Sequence, residues 1–98
     1  MKKSGHESIL TTDWEHCFIC GRYGEHLHTH HVMEGTGNRK IADMYGLTIP
    51  LCYECHEGTN GVHRQPKKYE YLKAFAQRMF ERQRPRSEWM EHFKNYLD

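Results

Sequence analysis

Cys17-Phe18-Ile19-Cys20-Gly21 and Leu51-Cys52-Tyr53-Glu54-Cys55-His56, with 31 residues between Cys20 and Cys52, decide how this chain folds. Each C-x-x-C pair places two thiols on one tight turn, and two such pairs in one short chain supply the four ligands of a closed tetrahedral zinc site. Gly21 follows the first pair, where glycine's access to positive φ lets backbone amides turn toward the sulfurs, as in a zinc knuckle. Zinc on Cys17, Cys20, Cys52 and Cys55 would close the loop between the pairs, and by loop-closure entropy such a clamp contributes several kcal/mol.

The composition explains why a clamp is useful. With 98 residues, the chain is one domain near the size at which a hydrophobic core alone is marginal. A hydrophobic fraction of 37% and a mean hydropathy of -0.95 are low for a globular protein, yet six Tyr, four Phe and two Trp give bulk for a modest core. No stretch approaches the ~20 apolar residues that span a bilayer. Met1-Lys2-Lys3-Ser4-Gly5-His6 is not followed by an apolar signal segment, so a soluble, cytoplasmic protein with reduced cysteines is expected, and zinc is preferred over two disulfides. A thioredoxin-like redox role lacks its βαβ pattern.

The organisation reads as α+β: a flexible arm over 1–12, a zinc-stapled core over 13–65 and a helical extension over 66–98. Leu27 to Met33 and Leu47 to Leu51 are short strand candidates, the second bounded by Pro50. Glu34-Gly35-Thr36-Gly37-Asn38 is expected to be a loop and Ile41 to Tyr45 a helical turn. A helical turn after Cys52 should be cut short by Gly58 and Gly61, leaving His63 at a loop or a restart. Tyr71, Leu72, Phe75, Ala76, Met79 and Phe80 recur at helical spacing up to Pro85, and Ser87 is expected to cap a last helix with the stripe Trp89, Met90, Phe93, Tyr96 and Leu97. Both stripes read as core.

Charge is unevenly distributed. Net charge is -3 over residues 1–61, +6 over 62–86 and -2 over 87–98. The basic block, with Lys67 and Lys68 near its start, would steer a polyanion toward the histidines; the bland reading is a solvated helix face.

The histidines are the candidates for chemistry. His30 and His31 are adjacent on a strand and so point to opposite sides, which suits a division of labour. One can hold a divalent metal with help from His56 and His63, while the other stands free as a general base. His28 shares the parity of His30 and is a spare ligand candidate. His6, His16, His26 and His92 are expected to be exposed and without partners. For phosphodiester hydrolysis a metal neutralises charge on the phosphate and the departing 3′ oxygen, and a histidine titrating near neutrality takes the proton of the attacking water. Arg39 and Lys40, in the loop beside that metal, are positioned to touch a phosphate. A zinc deaminase wants His-x-Glu and Pro-Cys-x-x-Cys, and the chain fails at both ends. A two-cysteine, two-histidine finger fails on spacing.

His30-His31 before a glycine-containing loop, then Leu51-Cys52-x-x-Cys55-His56 and a further His63, resembles the zinc-stapled branch of the HNH endonucleases. The closest resemblance is to small phage-encoded HNH proteins, including the recombination-enhancement, RecA-dependent nuclease group. It covers Cys17 to about His63, roughly half the chain. It implies a small ββα-metal, treble-clef-like core holding one catalytic divalent ion (Mg, Mn, Ni or Zn) beside the structural zinc. His31 would be the general base and His30 and His56 metal ligands, with His63 the third and Asn60 its competitor. DNA would be the substrate, with Arg39, Lys40, Lys67 and Lys68 contacting it, a recombinase filament a possible partner, and phage or prophage in a bacterial cytoplasm the setting. In many HNH proteins an asparagine shortly before the Leu-Cys step braces the loop that aims the base. Tyr45-Gly46-Leu47-Thr48-Ile49-Pro50 has none, and Asn38 is the substitute candidate. The rival reading is a non-catalytic zinc-ribbon module that binds nucleic acid or a protein partner through its basic helix.

Overall fold

Two short strands and four helices make up the α+β fold seen in the computed structural model, which describes residues 8–33 and 37–97. In chain order they are β1 (His28–His31), α1 (Asn38–Tyr45), β2 (Thr48–Leu51), α2 (Tyr53–Glu57), α3 (Tyr71–Phe80) and α4 (Arg86–Met90). The strands pair antiparallel, with His28 opposite Leu51 and His31 opposite Thr48. Every residue of β2 is buried. Both strands are shorter than the sequence suggested. Leu47, fully buried, precedes β2 because its N–H is spent on the Ala42 carbonyl at the end of α1 (2.7 Å). Pro50 has no N–H to give, and its carbonyl instead accepts the Phe18 N–H at 2.8 Å, tying the first cysteine turn onto β2.

Three expectations need correction. The helix between the strands begins at Asn38, so Asn38, Arg39 and Lys40 are helical and not part of a loop. Gly37, at φ 85°, ends the loop in a conformation only glycine adopts readily, and the apolar face of Ile41, Ala42 and Tyr45 then holds the helix to the core. The rest of that loop, Glu34 to Thr36, lies outside the described residues, as do His6 and the arm up to residue 7. Second, the chain is already anchored at Ser8, inside the arm expected to fray. The Ser8 hydroxyl donates to the Thr48 carbonyl (2.6 Å), the Ile9 N–H donates to the Gly46 carbonyl (2.9 Å), and Leu10 is buried. One hydroxyl and one leucine leave no periodic trace in the sequence. Third, Pro85 and not Ser87 caps α4, and no side-chain bond is made there. Proline's missing N–H and fixed φ suit a helix start.

The C-terminal residues share one core with the hairpin. Leu72, Ala76, Phe80, Trp89 and Phe93 pack in the same cluster as Val32, Leu47, Ile49 and Leu51. Phe80 meets Tyr45 and Trp89 edge-on, at centroid distances of 5.1 and 5.3 Å. The helix ends at Met90, short of the expected stripe, yet Phe93 is buried and Tyr96 packs against the core. Met90 is exposed, and the tail is held by polar bonds: Trp89 Nε1 donates to the Lys94 carbonyl (2.8 Å), while buried Gln77 accepts the Tyr96 N–H (2.7 Å) and donates to Asn95 (2.9 Å). No helix among the described residues is long and apolar enough to cross a membrane. Because tail and hairpin share this core, Trp89→Ala should cost about 3–5 kcal/mol, read as one lowered denaturant midpoint for the whole domain and not as selective loss of the tail.

Candidate metal centres

The two cysteine turns meet. The sulfurs of Cys17, Cys20, Cys52 and Cys55 all lie within 4.8 Å of one another, and none is in a disulfide. Cys20 and Cys52 are 3.8 Å apart, close to the ~3.8 Å edge of a tetrahedron with Zn–S bonds of about 2.3 Å. Local chemistry builds the first turn: Gly21, at φ 79°, donates to the Cys17 carbonyl (2.9 Å), and Cys17 donates to Arg22 (2.9 Å). The second turn is the start of α2, with Cys52 as its N-cap and Cys55 in its first turn. Burial pushes the Cys17 thiol up, but N–H groups of Cys20, Cys52 and Ile19 outweigh it and bring Cys17 down to about 6. Burial, with that neighbouring thiolate, pushes Cys55 up. Four sulfurs cannot share several negative charges by themselves, and a divalent cation removes the conflict; the donor set fits zinc.

A second cluster lies alongside. His30, His56 and His63 each offer a ring nitrogen within 4.8 Å of the others. His56 Nε2 and His63 Nε2 are 3.0 Å apart, and the His30 ring centroid lies 5.2 Å from that of His56 and 5.4 Å from that of His63. His30 reaches inward from β1 at 3% exposure, and burial, followed by the His56 and His63 charges, lowers it to about 3. Burial also lowers His56, with His63 and His28 acting in the same direction. Burial and crowding thus favour the neutral form of His30 and His56, the protonation state that ligates a metal.

His63 arrives by an unexpected route. Gly58 ends α2, and the chain doubles back so that Val62 donates to the Cys55 carbonyl (2.8 Å) and His63 to the His56 carbonyl (3.4 Å). A Cβ on Gly61 would stand 2.8 Å from the Cys55 oxygen and 2.9 Å from that of Glu54, so only glycine permits the reversal. The glycines that interrupt the helix therefore bring His63 back to it. The Asn60 carbonyl is occupied at the turn by the Tyr69 hydroxyl (2.7 Å).

His31 projects to the opposite face, as strand parity requires. Its Nε2 lies 3.6 Å from Asp43 Oδ1 of α1. Burial lowers its pKa, the Arg39 charge adds to this, and Asp43 opposes both. Arg39 thus belongs to the His31 side of the strand, and Lys40 is exposed beside it on the same helix. Lys67 and Lys68 are exposed at the turn before α3, whereas Arg84 and Arg86 of the basic block are engaged by Glu88 (3.0 Å) and Glu81 (2.8 Å). Of the remaining histidines, His26 is exposed, His16 is exposed but paired with Asp13 (3.1 Å), and His92 lies against Tyr45 (centroids 5.6 Å apart). His28 was undervalued by the sequence: its Nδ1 is 2.7 Å from His56 Nδ1. Its parity with His30 was the available signal.

No protein-family model, curated protein or solved structure matches the chain. Its chemistry is read from these two clusters.

Two outcomes are expected. Metal analysis should find about one firmly held zinc per chain, and Cys52→Ser should unfold the domain, with loss of near-UV circular dichroism, because removing one ligand opens the clamp. Gly61→Ala should destabilise by ~1–3 kcal/mol through overpacking and weaken metal binding at the histidines while the cysteine-bound zinc stays.

Proposed function

We propose that this chain is a metal-dependent DNA endonuclease or nickase of the HNH type, in which Cys17, Cys20, Cys52 and Cys55 hold a structural zinc and His30, His56 and His63 hold one catalytic divalent ion. The observation that carries the reading is the parity of β1: His30 turns into a cluster of imidazoles while His31, the next residue, turns to a carboxylate on the other face. Among the described residues the sheet has two strands, so the edge of β1 away from β2 pairs with no strand. His30 is itself buried, so a phosphodiester lying along that edge would reach an ion on the triad past its exposed member, His63, and meet His31 from the other face.

Bound in the triad, the ion would neutralise charge on the phosphate oxygens and on the departing 3′ oxygen. His31 does the proton work. Asp43 beside Nε2 favours the proton on that nitrogen and leaves Nδ1 as the basic one. Nδ1 takes a proton from water as its oxygen attacks phosphorus; the P–O3′ bond breaks, leaving a 5′-phosphate, and the 3′ oxygen takes a proton from solvent. Burial and Arg39 keep His31 unprotonated near neutrality, and Asp43 stabilises the imidazolium that forms. Arg39 and Lys40 on one side and Lys67 and Lys68 on the other would position the backbone, contacts that carry little sequence information.

Supercoiled plasmid incubated with the protein and Mg, Mn or Ni ions should be nicked, and His31→Ala should lower the rate by about 10²–10⁴-fold without loss of bound metal. Full-rate nicking by His31→Ala would remove the base assignment. DNA binding with no cleavage under any metal would instead favour the non-catalytic zinc-ribbon module.

A further inference from the structure

His28 is left without a role by the metal triad and the base, yet it makes a close side-chain contact with a member of the triad. Its Nδ1 lies 2.7 Å from His56 Nδ1, with the rings at 77° to one another and their centroids 4.9 Å apart. That is a hydrogen-bond length, and a bond between two imidazole nitrogens requires one to carry the proton and the other to present its lone pair. The opposite nitrogen of His56, Nε2, faces His63 at 3.0 Å. We infer that His28 is the positioning partner of the metal ligand His56: it accepts the His56 Nδ1–H and so fixes the tautomer whose Nε2 lone pair is turned to His30 and His63.

The inference rests on the metal-binding reading of the triad and deepens it. A neutral imidazole has one N–H and one lone pair, so ligation through Nε2 places the proton on Nδ1, and His28 must then hold its own proton on Nε2. A ligating histidine whose other N–H is accepted by a neighbour is fixed in orientation and is a stronger donor. Glu57 is the competing acceptor, but its Oε2 is 3.7 Å from His56 Nδ1 and the side chain is half-exposed. The exposed ring of Tyr53 lies edge-on to His28 with centroids 6.2 Å apart, limiting the swing of that ring.

His28, His56 and Glu57 also bring donor atoms within 4.8 Å of one another, so a second ion is the competing arrangement. Two nitrogens on one tetrahedral ion at about 2.0–2.1 Å stand roughly 3.3 Å apart. The 2.7 Å between His28 and His56 is well short of that, whereas the 3.0 Å between His56 and His63 is nearer to it. An ion on each side of His56 would also require its ring to lose both protons. The hydrogen bond needs neither change.

The test is cobalt(II) binding to protein whose cysteine site is filled with zinc, followed by d–d absorption with chelator competition, for wild type, His28→Phe, His28→Asn and His30→Ala. His28→Phe keeps a planar ring without an acceptor and should weaken cobalt binding by about 10–100-fold at an unchanged denaturation midpoint. His28→Asn, whose Oδ1 can stand near the Nδ1 position, should recover most of that loss. Nitrogen-15 NMR of the zinc-loaded protein should show His56 protonated at Nδ1 and ligated through Nε2. Unchanged affinity in His28→Phe, no recovery in His28→Asn, or a fall in stoichiometry from two histidine-bound cobalt ions to one would overturn the inference. Unchanged affinity in His30→Ala would bring down the triad itself, a separate failure visible without any DNA.

Discussion

Everything at the histidine cluster depends on the meeting of two cysteine turns that the sequence holds 31 residues apart. Two strands of four residues each are too short to be stable by pairing alone. Cys52 follows β2 immediately, and Phe18, inside the first turn, is bonded to Pro50 within β2. Closing the four sulfurs therefore clamps the end of the hairpin. The antiparallel register then carries the consequence along the strand: His28 lies opposite Leu51, so the inward-facing residues of β1 emerge beside α2 and meet His56. The sulfur cluster sets the stage on which the imidazoles converge.

The two clusters solve an electrostatic problem in the same way. Burial and mutual repulsion favour neutral His30 and His56, while the thiols compete for the one thiolate that backbone N–H groups at Cys17 stabilise. In both places donor atoms are gathered closely, and a divalent cation would relieve the crowding. The difference lies in closure. Four thiolates complete a tetrahedron, whereas three imidazoles leave a coordination position for another group.

Much of this was legible because it depends on spacing and parity. The cysteine pairs, the positive φ of Gly21, the opposite faces of His30 and His31 and the early end of α2 all follow from local rules that a single strand or turn obeys. What was not legible depends on how segments return to one another. Gly58 and Gly61 counted against His63 because they break a helix; nothing local shows that the break folds the chain back onto Cys55 and His56. Arg39 and Lys40 read as loop residues because glycines precede them, and the helix they occupy is held by its apolar face against the core. The anchoring of Ser8 to Thr48 spans 40 residues and is invisible to any window of sequence.

The C-terminal residues take part in placing the histidine cluster. In the sequence, 66–98 reads as a partly basic helical extension whose apolar stripes are core. In the structure the Tyr69 hydroxyl holds the Asn60 carbonyl, and Leu72, Tyr69 and Lys73 line a crevice with His30 and Val62. Val62 is buried and its neighbour His63 is exposed. The turn that delivers His63 is therefore pinned on one side by Cys55 and on the other by the approach to α3. Ligand spacing in the sequence, seven residues from His56 to His63, sets only how far the chain must travel. Packing against the extension sets where it arrives, so the precision of the histidine cluster is a property of the whole core.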